Sequence, residues 1–195
     1  MLFRSGEFKE LLTASKSVAF VVKKGALSYD EKVAYNNKYQ ILREEIIRRI
    51  TEVAKEDIFV STTGKTSREL FEIREQKGEP HKYDFLTVGS MGHSSSIALG
   101  VALHKPKTRV WSIDGDGAVL MHMGAMPVIA AMAPRNFFHV VINNSAHESV
   151  GGMPTVADNI NFAQIALGCG YKAAYIANNL HDLDQILEEI QGKDG

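Results

Sequence analysis

The chain has 195 residues, a formal net charge of −1, 45% hydrophobic residues and 23% charged residues. That composition is ordinary for one globular domain, and the lack of a long block of like charges argues against a nucleic-acid or anionic-membrane partner. The single cysteine, Cys169, excludes a disulfide framework or a cysteine-rich metal site within the chain. No apolar run approaches the roughly 20 residues of a membrane span. These features favour a cytoplasmic protein.

The beginning of the chain differs in pattern from the rest. A short helix is predicted over residues 6–14 and a buried strand over residues 18–22, and a polar stretch rich in Lys, Asn and Tyr follows. A lone helix and a lone strand cannot bury their apolar faces by themselves. We therefore expect residues 1–25 to be the tail of a preceding domain, residues 26–40 to be a linker, and residues 41–195 to form the main domain.

From residue 41 onward, helical and strand patterns alternate. Helices are predicted at 41–53, 67–76, 94–103, 118–132, 162–167 and 183–190, and strands at 58–60, 84–88, 109–113, 137–142 and 173–176. Strands that are apolar throughout and alternate with helices are typical of a parallel sheet covered on both faces. The predicted fold is therefore a three-layer α/β/α domain with a mostly parallel sheet. Ligands of such folds bind at the carboxyl ends of the strands.

The strongest local signal is a Gly-Asp-Gly sequence at residues 115–117, at a predicted strand end, with Asn143 and Asn144 at the next strand end. Mg²⁺ prefers oxygen ligands, few of them protein carboxylates, together with phosphate oxygens. Asp116 offers a carboxylate and Asn144 a neutral amide oxygen, while Gly117 allows a diphosphate to approach the backbone closely. If the tripeptide stood alone, its glycines could serve only the geometry of a turn between a strand and a helix. The two asparagines at the next strand end favour a metal and diphosphate site instead.

Two competing nucleotide motifs fail on single residues. Gly64-Lys65-Thr66 resembles the end of a phosphate-binding Walker A loop, but Phe59 stands where that loop needs its first glycine. A dinucleotide-binding fingerprint would need a glycine at position 120, which is Leu120. The sequence therefore supports neither a nucleoside triphosphatase nor a nicotinamide-dependent enzyme.

Residues 56–177 resemble the diphosphate-binding domain of thiamine-diphosphate-dependent decarboxylases. The segments that carry the likeness are residues 61–70, 89–93, 114–124 and 143–155. Within that group the run Asn-Asn-Ser-Ala-His-Glu-Ser-Val-Gly-Gly makes the chain most similar to the phosphonopyruvate decarboxylases, with the sulfopyruvate decarboxylases as nearest relatives. The resemblance implies a carboxy-lyase that acts on a small 2-oxoacid, with thiamine diphosphate and Mg²⁺ as cofactors.

The resemblance also implies roles for individual residues. The Mg²⁺ ligands would be Asp116, Asn144 and the backbone carbonyl of Ala146. Met91 would wedge between the two cofactor rings, and His147 would act near the substrate. The remaining cofactor-binding residues would be Gly64, Lys65, Thr66, Gly89, Ser90, Gly92, Gly115, Gly117 and Ala118. Met91 could instead be an ordinary core methionine, and His147 could lie in a solvated loop.

The chain departs from the family pattern before the diphosphate-binding domain. Complete enzymes of this family also have a pyrimidine-binding domain with a glutamate that activates the cofactor, and residues 1–55 are too few to form one. We therefore expect a homo- or hetero-oligomer in which a pyrimidine-binding domain or subunit supplies that glutamate, and we expect the isolated chain to be inactive. A fragment of a longer chain, a natural subunit and a non-catalytic assembly subunit all remain open, and the strand at 18–22 favours the fragment.

Overall fold

In a computed structural model of the chain, the described residues are 41–191 and the isolated positions Thr13, Gly25 and Tyr39. The chain divides into two compact units, residues 1–33 and residues 34–195. Residues 41–191 belong to the second unit. The predicted helix at 6–14, the predicted strand at 18–22 and nearly all of the predicted linker lie outside the described residues, so the predicted domain boundaries stay predictions.

Within residues 41–191, four parallel strands form the central sheet. They are β1 (Ile58–Ser61), β2 (Asp84–Leu86), β3 (Val110–Gly115) and β4 (Phe137–Ile142), in the spatial order β2-β1-β3-β4. Phe59 pairs with Asp84 on one side and with Trp111 on the other. Because β2 and β3 lie on opposite sides of β1, the connections after β1 and β3 diverge and leave a crevice at the carboxyl edge, where ligands of this fold class bind.

Seven helices surround the sheet within residues 41–191. They are α1 (Arg43–Val53), α2 (Lys65–Lys77), α3 (Ser94–His104), α4 (Asp116–Met121), α5 (Ala125–Met132), α6 (Phe162–Cys169) and α7 (Leu180–Ile190). A two-stranded antiparallel hairpin, β5 (Ala146–His147) with β6 (Met153–Pro154), follows β4 and contains the 3-10 turn Glu148–Val150. None of the helices in this part of the chain is long and apolar enough to cross a membrane.

Alternate strand residues face two separate cores. On one face Phe59 and Trp111 are buried with residues of α1, α2 and α7. On the other face Val60 and Val110 are buried with residues of α3 and α5. Successive side chains of a strand point to opposite sides of the sheet, so strands that are apolar at every position require helices on both faces. The predicted three-layer α/β/α class is confirmed.

Two predicted elements are wrong. The predicted helix at 118–132 is two helices, α4 and α5. Helix α4 ends at its C-cap, His122, whose backbone N–H bonds to the carbonyl of Val119, three residues earlier. The predicted strand at 173–176 is irregular backbone with exposed Tyr175 and Ile176. Aromatic and β-branched residues favour a strand only when a neighbouring strand is available to pair with it.

Candidate functional site at the carboxyl edge

All four strands end at one edge of the sheet, and each is followed by residues that the sequence singled out. Strand β1 leads to Gly64 and β2 leads to the turn that carries Met91. Strand β3 leads directly to Asp116, and β4 leads to Asn143 and Asn144. Since β3 and β4 pair up to Gly115 and Ile142, Asp116 and Asn143 leave adjacent strands at the same level. The sheet therefore gathers the predicted residues into one region.

The connection after β1 begins helix α2 at the sheet edge. Gly64 adopts φ 98°, a left-handed conformation that favours glycine, immediately before Lys65 and the buried Thr66 start the helix. The hydroxyl of Thr62 is buried and has no hydrogen-bond partner among the described residues. A buried hydroxyl without a partner is uncommon in folded proteins. This edge therefore retains hydrogen-bonding capacity that the described residues do not use.

Residues 89–93, the Met91 turn, have a constrained backbone. Gly89 and Gly92 have positive φ, and so does the non-glycine Ser90, at 49°. The backbone N–H of Gly89 donates to the Thr63 hydroxyl at 3.0 Å. A β-carbon added to Gly92 would lie 2.7 Å from the carbonyl oxygen of Ala118, so this turn packs directly against α4. Non-glycine residues with positive φ are often found at functional sites, where surrounding contacts hold them.

The carboxylate of Asp116 is buried, with the residue only 1% exposed. One of its oxygens accepts a short hydrogen bond from the hydroxyl of Thr155. Its other oxygen receives no hydrogen bond from the part of the chain that the structure describes. A buried carboxylate is costly unless its oxygens are paired or bind a cation. Asp116 therefore has the chemistry expected of a metal ligand.

Residues 143–146, the amide loop, lie beside Asp116. Thr155, which donates to Asp116 through its hydroxyl, also donates its backbone N–H to the carbonyl of Ser145 at 2.9 Å. Within the loop, the side-chain oxygen of Asn144 accepts the N–H of Ala146 at 3.2 Å. Thr155 thus connects the carboxylate of Asp116 to the loop that carries the other two predicted metal ligands.

Met91 and His147 converge over Gly117. A β-carbon added to Gly117 would lie 3.3 Å from the Met91 methyl and 2.7 Å from Nδ1 of His147. Met91 is half-buried and its methyl lies against the first turn of α4, so its role at the site stays a prediction. The two residues predicted to act in catalysis thus lie next to Gly117, which was predicted to contact the diphosphate.

Four charged side chains form a cluster beside the amide loop, which we call the Glu148 cluster. Glu148 binds Lys65 at 2.6 Å and Arg43 at 2.8 Å, and Arg43 also pairs with Glu69. Burial acts to raise the pKa of Glu148, but hydrogen bonds from Lys65 and Arg43 outweigh it, so the pKa of this carboxyl lies below its usual value. The cluster fastens the hairpin after β4 to helices α1 and α2.

Two further histidines lie next to the Met91 turn. His93 precedes α3 and its Nδ1 lies 3.2 Å from the carbonyl oxygen of Ser90. The centroids of the His93 and His122 rings are 4.1 Å apart, and a carbon of the His122 ring fills the space next to Gly92. These contacts brace the turn from outside.

The donor set fits Mg²⁺ bound through oxygen. Among the described residues no cluster of three His, Cys, Asp or Glu side chains could hold a metal, and the predicted set needs none, because it combines one carboxylate with one amide and one carbonyl. Such oxygen ligands suit Mg²⁺ when phosphate oxygens complete its shell. The half-paired buried Asp116 and the unpartnered hydroxyl of Thr62 are compatible with a diphosphate and its metal at this edge.

Some contributors were not identified from the sequence as site residues. Thr155 falls within the segment that carries the family resemblance, but nothing in its spacing indicated a contact with Asp116. The sequence predicts no role for Arg43 or Glu69, although Glu69 falls within residues 61–70, which carry part of the resemblance. A charged residue on the polar face of a helix is expected to be exposed to solvent. The packing of α1 and α2 against the hairpin after β4 is what shows that Arg43 pairs with both Glu69 and Glu148.

Residues 62–195 match the family described as thiamine pyrophosphate enzyme, C-terminal TPP binding domain. A phosphonopyruvate decarboxylase of Streptomyces viridochromogenes is 38% identical over 148 residues, which cover 76% of this chain and 36% of that protein. The sulfopyruvate decarboxylase subunit beta of Methanothermobacter thermautotrophicus is 36% identical over 139 residues, which cover 71% of this chain and 72% of that subunit. The chain thus spans about a third of the phosphonopyruvate decarboxylase and most of the subunit.

Solved structures agree on the fold. A benzoylformate decarboxylase from Polynucleobacter necessarius superposes with a TM-score of 0.64 at 15% identity, covering 89% of this chain and 35% of that one. At such low identity the likeness concerns the fold alone. The family match confirms the resemblance read from the sequence, including thiamine diphosphate and the Mg²⁺ that binds its diphosphate as cofactors. The chain belongs to the thiamine pyrophosphate enzymes and contains their C-terminal cofactor-binding domain.

Proposed function

We propose that this chain supplies the diphosphate- and Mg²⁺-binding half of the active site of a 2-oxoacid decarboxylase, with phosphonopyruvate as the substrate and phosphonoacetaldehyde and CO2 as the products. The observation that carries the proposal is the buried carboxylate of Asp116, bound on one oxygen by Thr155 and lying beside the amide loop. The 38% identity to a phosphonopyruvate decarboxylase supports the choice of substrate.

The chain's own residues would hold the cofactor in place. The carboxylate of Asp116, the side-chain oxygen of Asn144 and the carbonyl of Ala146 would bind Mg²⁺. The backbone at Gly117 and Ala118 would contact the diphosphate, since Gly117 lacks a side chain and Ala118 is buried at the start of α4. Bound thiamine diphosphate supplies the stabilisation of the carbanion that decarboxylation of a 2-oxoacid requires.

Met91 and His147 would act on the organic part of the site. The Met91 methyl, which lies near Gly117, would contact the cofactor rings and orient them, and the backbone of Gly89 would accept a hydrogen bond from the aminopyrimidine. The imidazole of His147 lies beside the same glycine, where it can hold or move a proton near the substrate. Together these residues would orient the reacting groups and supply polar contacts.

The second half of the active site would come from a pyrimidine-binding domain or subunit with an activating glutamate. The length of the phosphonopyruvate decarboxylase, of which this chain spans 36%, supports such a division. We expect the chain alone to bind the cofactor weakly and to turn over nothing measurable, because half of the cleft cannot complete the proton relay.

Sulfopyruvate is the second candidate substrate. A sulfopyruvate decarboxylase subunit beta from Methanocaldococcus jannaschii is 41% identical over 130 residues, covering 66% of both chains. A subunit of similar extent supports the idea that this chain works with a separate partner.

Two measurements test the proposal. Calorimetric titration with thiamine diphosphate and Mg²⁺ should show Mg²⁺-dependent binding that Asp116→Asn removes. In the presence of the pyrimidine-binding partner, CO2 release should then be compared for phosphonopyruvate and sulfopyruvate, with pyruvate as the control substrate. Faster turnover of sulfopyruvate would transfer the assignment to the second candidate, and no Mg²⁺-dependent binding with the partner present would disprove the decarboxylase assignment.

A further inference from the structure

A buried polar network centred on Asp114 lies next to the site, and none of its residues is among the proposed cofactor or metal contacts. Asp114, in β3 just before Asp116, is 1% exposed. Its carboxylate accepts hydrogen bonds from the hydroxyl of Ser94, from the hydroxyl of Ser112 at 3.2 Å, and from Nε2 of His139 at 3.0 Å. A buried carboxylate is costly unless its oxygens are satisfied, and both oxygens of Asp114 accept hydrogen bonds here.

The network connects the three segments that carry the proposed cofactor contacts. Ser94 is the first residue of α3 and follows the Met91 turn directly. Asp114 belongs to the strand that ends at Asp116, and His139 belongs to β4, the strand that ends at the amide loop. Asp114 therefore joins the Met91 turn, the Asp116 strand end and the amide-loop strand through one carboxylate.

Proton positions in the network follow from its partners. An ionised Asp114 can only accept, so Nε2 of His139 carries the hydrogen between them. In a neutral imidazole Nδ1 then accepts, and the Tyr171 hydroxyl at 3.1 Å donates to it. Burial raises the pKa of Tyr171, with nearby Cys169 and Asp114 adding to the effect, so this hydroxyl keeps its hydrogen at ordinary pH. Both ring nitrogens of His139 thus lie within hydrogen-bond distance of a buried partner, Asp114 on one side and Tyr171 on the other, which fixes the position of the imidazole.

We propose that Asp114, Ser94 and His139 are positioning residues of the cofactor site: by joining the Met91 turn to the ends of β3 and β4, they hold Met91, Asp116 and Asn144 in one geometry. The inference rests on the proposed function, because it assumes that Met91, Asp116 and Asn144 contact the cofactor or its metal. It predicts that breaking the connection between Ser94 and Asp114 weakens cofactor binding by more than the accompanying loss of stability explains.

Ser112 provides a matched control. Ser94 and Ser112 are both buried, and each donates one hydroxyl hydrogen bond to Asp114. Ser112, however, lies on the same strand as Asp114 and joins no other segment of the site to it. The variants Ser94→Ala and Ser112→Ala should therefore cost comparable stability, while only the first should loosen the Met91 turn.

The experiment measures the dissociation constant of thiamine diphosphate at saturating Mg²⁺, together with urea unfolding of the cofactor-free protein, for the wild-type chain and both variants. We expect Ser94→Ala to weaken binding roughly tenfold, as loss of supporting contacts around a metal site does, and Ser112→Ala to leave it within about twofold of wild type. Ser94→Thr, which retains a hydroxyl, should restore part of the affinity.

Equal affinities for Ser94→Ala and Ser112→Ala would overturn the positioning role while leaving the proposed function intact. Wild-type protein that binds no cofactor, with or without the pyrimidine-binding partner, would overturn both. If Ser94→Ala does not fold, His139→Gln and His139→Leu replace it. The glutamine retains an N–H donor towards Asp114 and should keep more affinity than the leucine, and equal affinities for that pair would also overturn the inference.

Discussion

The two edges of the sheet use charged and polar residues differently. At the amino edge, Arg74 forms a double hydrogen bond with Asp84, binds Glu79 at 2.6 Å, and lies over the ring of Phe59. Arg74 is 2% exposed and the Asp84 side chain is fully buried. At the carboxyl edge, the Glu148 cluster is partly exposed, and Asp116 leaves one oxygen without a hydrogen bond from the described residues.

The two edges of the sheet also differ in backbone conformation. Of the three non-glycine residues with positive φ in the described part of the chain, Ser90 and Ser145 lie at the carboxyl edge, and Ala133 closes helix α5. Among the described residues, buried atoms without a hydrogen bond are not confined to one edge. Nδ1 of His81, near Arg74, makes none although it lies 3.9 Å from Asp84, and the hydroxyl of Thr62 makes none at the other edge. The difference suggests that the amino edge is built for stability and the carboxyl edge for binding.

The largest effect should come from breaking the Arg74 pair. Arg74→Ala leaves the carboxylate of Asp84 buried without its cation, which typically costs about 3–5 kcal/mol. Urea unfolding should record this loss. Arg49→Ala is the control, because its pair with Asp184 is exposed on both sides and such pairs contribute about 0–1 kcal/mol. Similar losses for both variants would mean that burial does not set the energetic contribution of the amino edge.

The second prediction concerns Asp116. Replacing it with asparagine keeps the shape of the side chain but removes the anion that would bind Mg²⁺, so Mg²⁺-dependent cofactor binding should fall by at least about 100-fold. The free energy of unfolding of the cofactor-free protein should fall little, since the variant no longer buries a half-paired carboxylate. A large loss of stability with unchanged binding would reverse the functions assigned to the two edges.

A pair of glycines sharpens the comparison within the carboxyl edge. Gly92→Ala places a methyl 2.7 Å from a backbone oxygen at φ 87°, so it should destabilise the protein by about 1–3 kcal/mol. At Gly117→Ala the three atoms nearest to the new methyl belong to the side chains of His147 and Met91, which can move aside, and alanine favours a helix. It should therefore unfold like wild type but bind the cofactor more weakly. Thermal unfolding and calorimetric titration separate the two outcomes.

The smallest effect concerns the pH dependence of the Glu148 cluster. Because Lys65 and Arg43 lower the pKa of the Glu148 carboxyl, the folded protein binds a proton there less readily than the unfolded chain does. Its contribution to stability is therefore complete above the unfolded pKa, near 4.5, and is lost as pH falls through the lower folded pKa. Solvent reaches about a third of the side chain, so we expect about 1 kcal/mol or less.

Glu148→Gln tests this pH dependence. At pH 7 the variant should be slightly less stable than wild type, and the gap should narrow as the pH falls below about 4.5, as urea unfolding at several pH values would show. A gap that stays constant down to acid pH would show that hydrogen bonding or packing, rather than the carboxylate charge, provides the contribution.

The amino-acid pattern by itself determined the fold class and the location of the site. Apolar strands alternating with helices require a sheet covered on both faces, and in a parallel sheet every strand end reaches the same edge. The sequence therefore predicts one common region for four residues, which are Gly64, Gly89, Asp116 and Asn144. Their proposed roles in binding came from the family resemblance and stay predictions.

Tertiary structure alone decided what these residues contact. The break between α4 and α5 and the absence of a strand at 173–176 depend on packing and pairing partners that a local pattern does not contain. The bond from Thr155 to Asp116 and the Asp114 network each join residues far apart in the sequence. Local periodicity reports which face of an element is buried, whereas contacts between elements depend on how the whole chain packs, so only the folded structure reveals them.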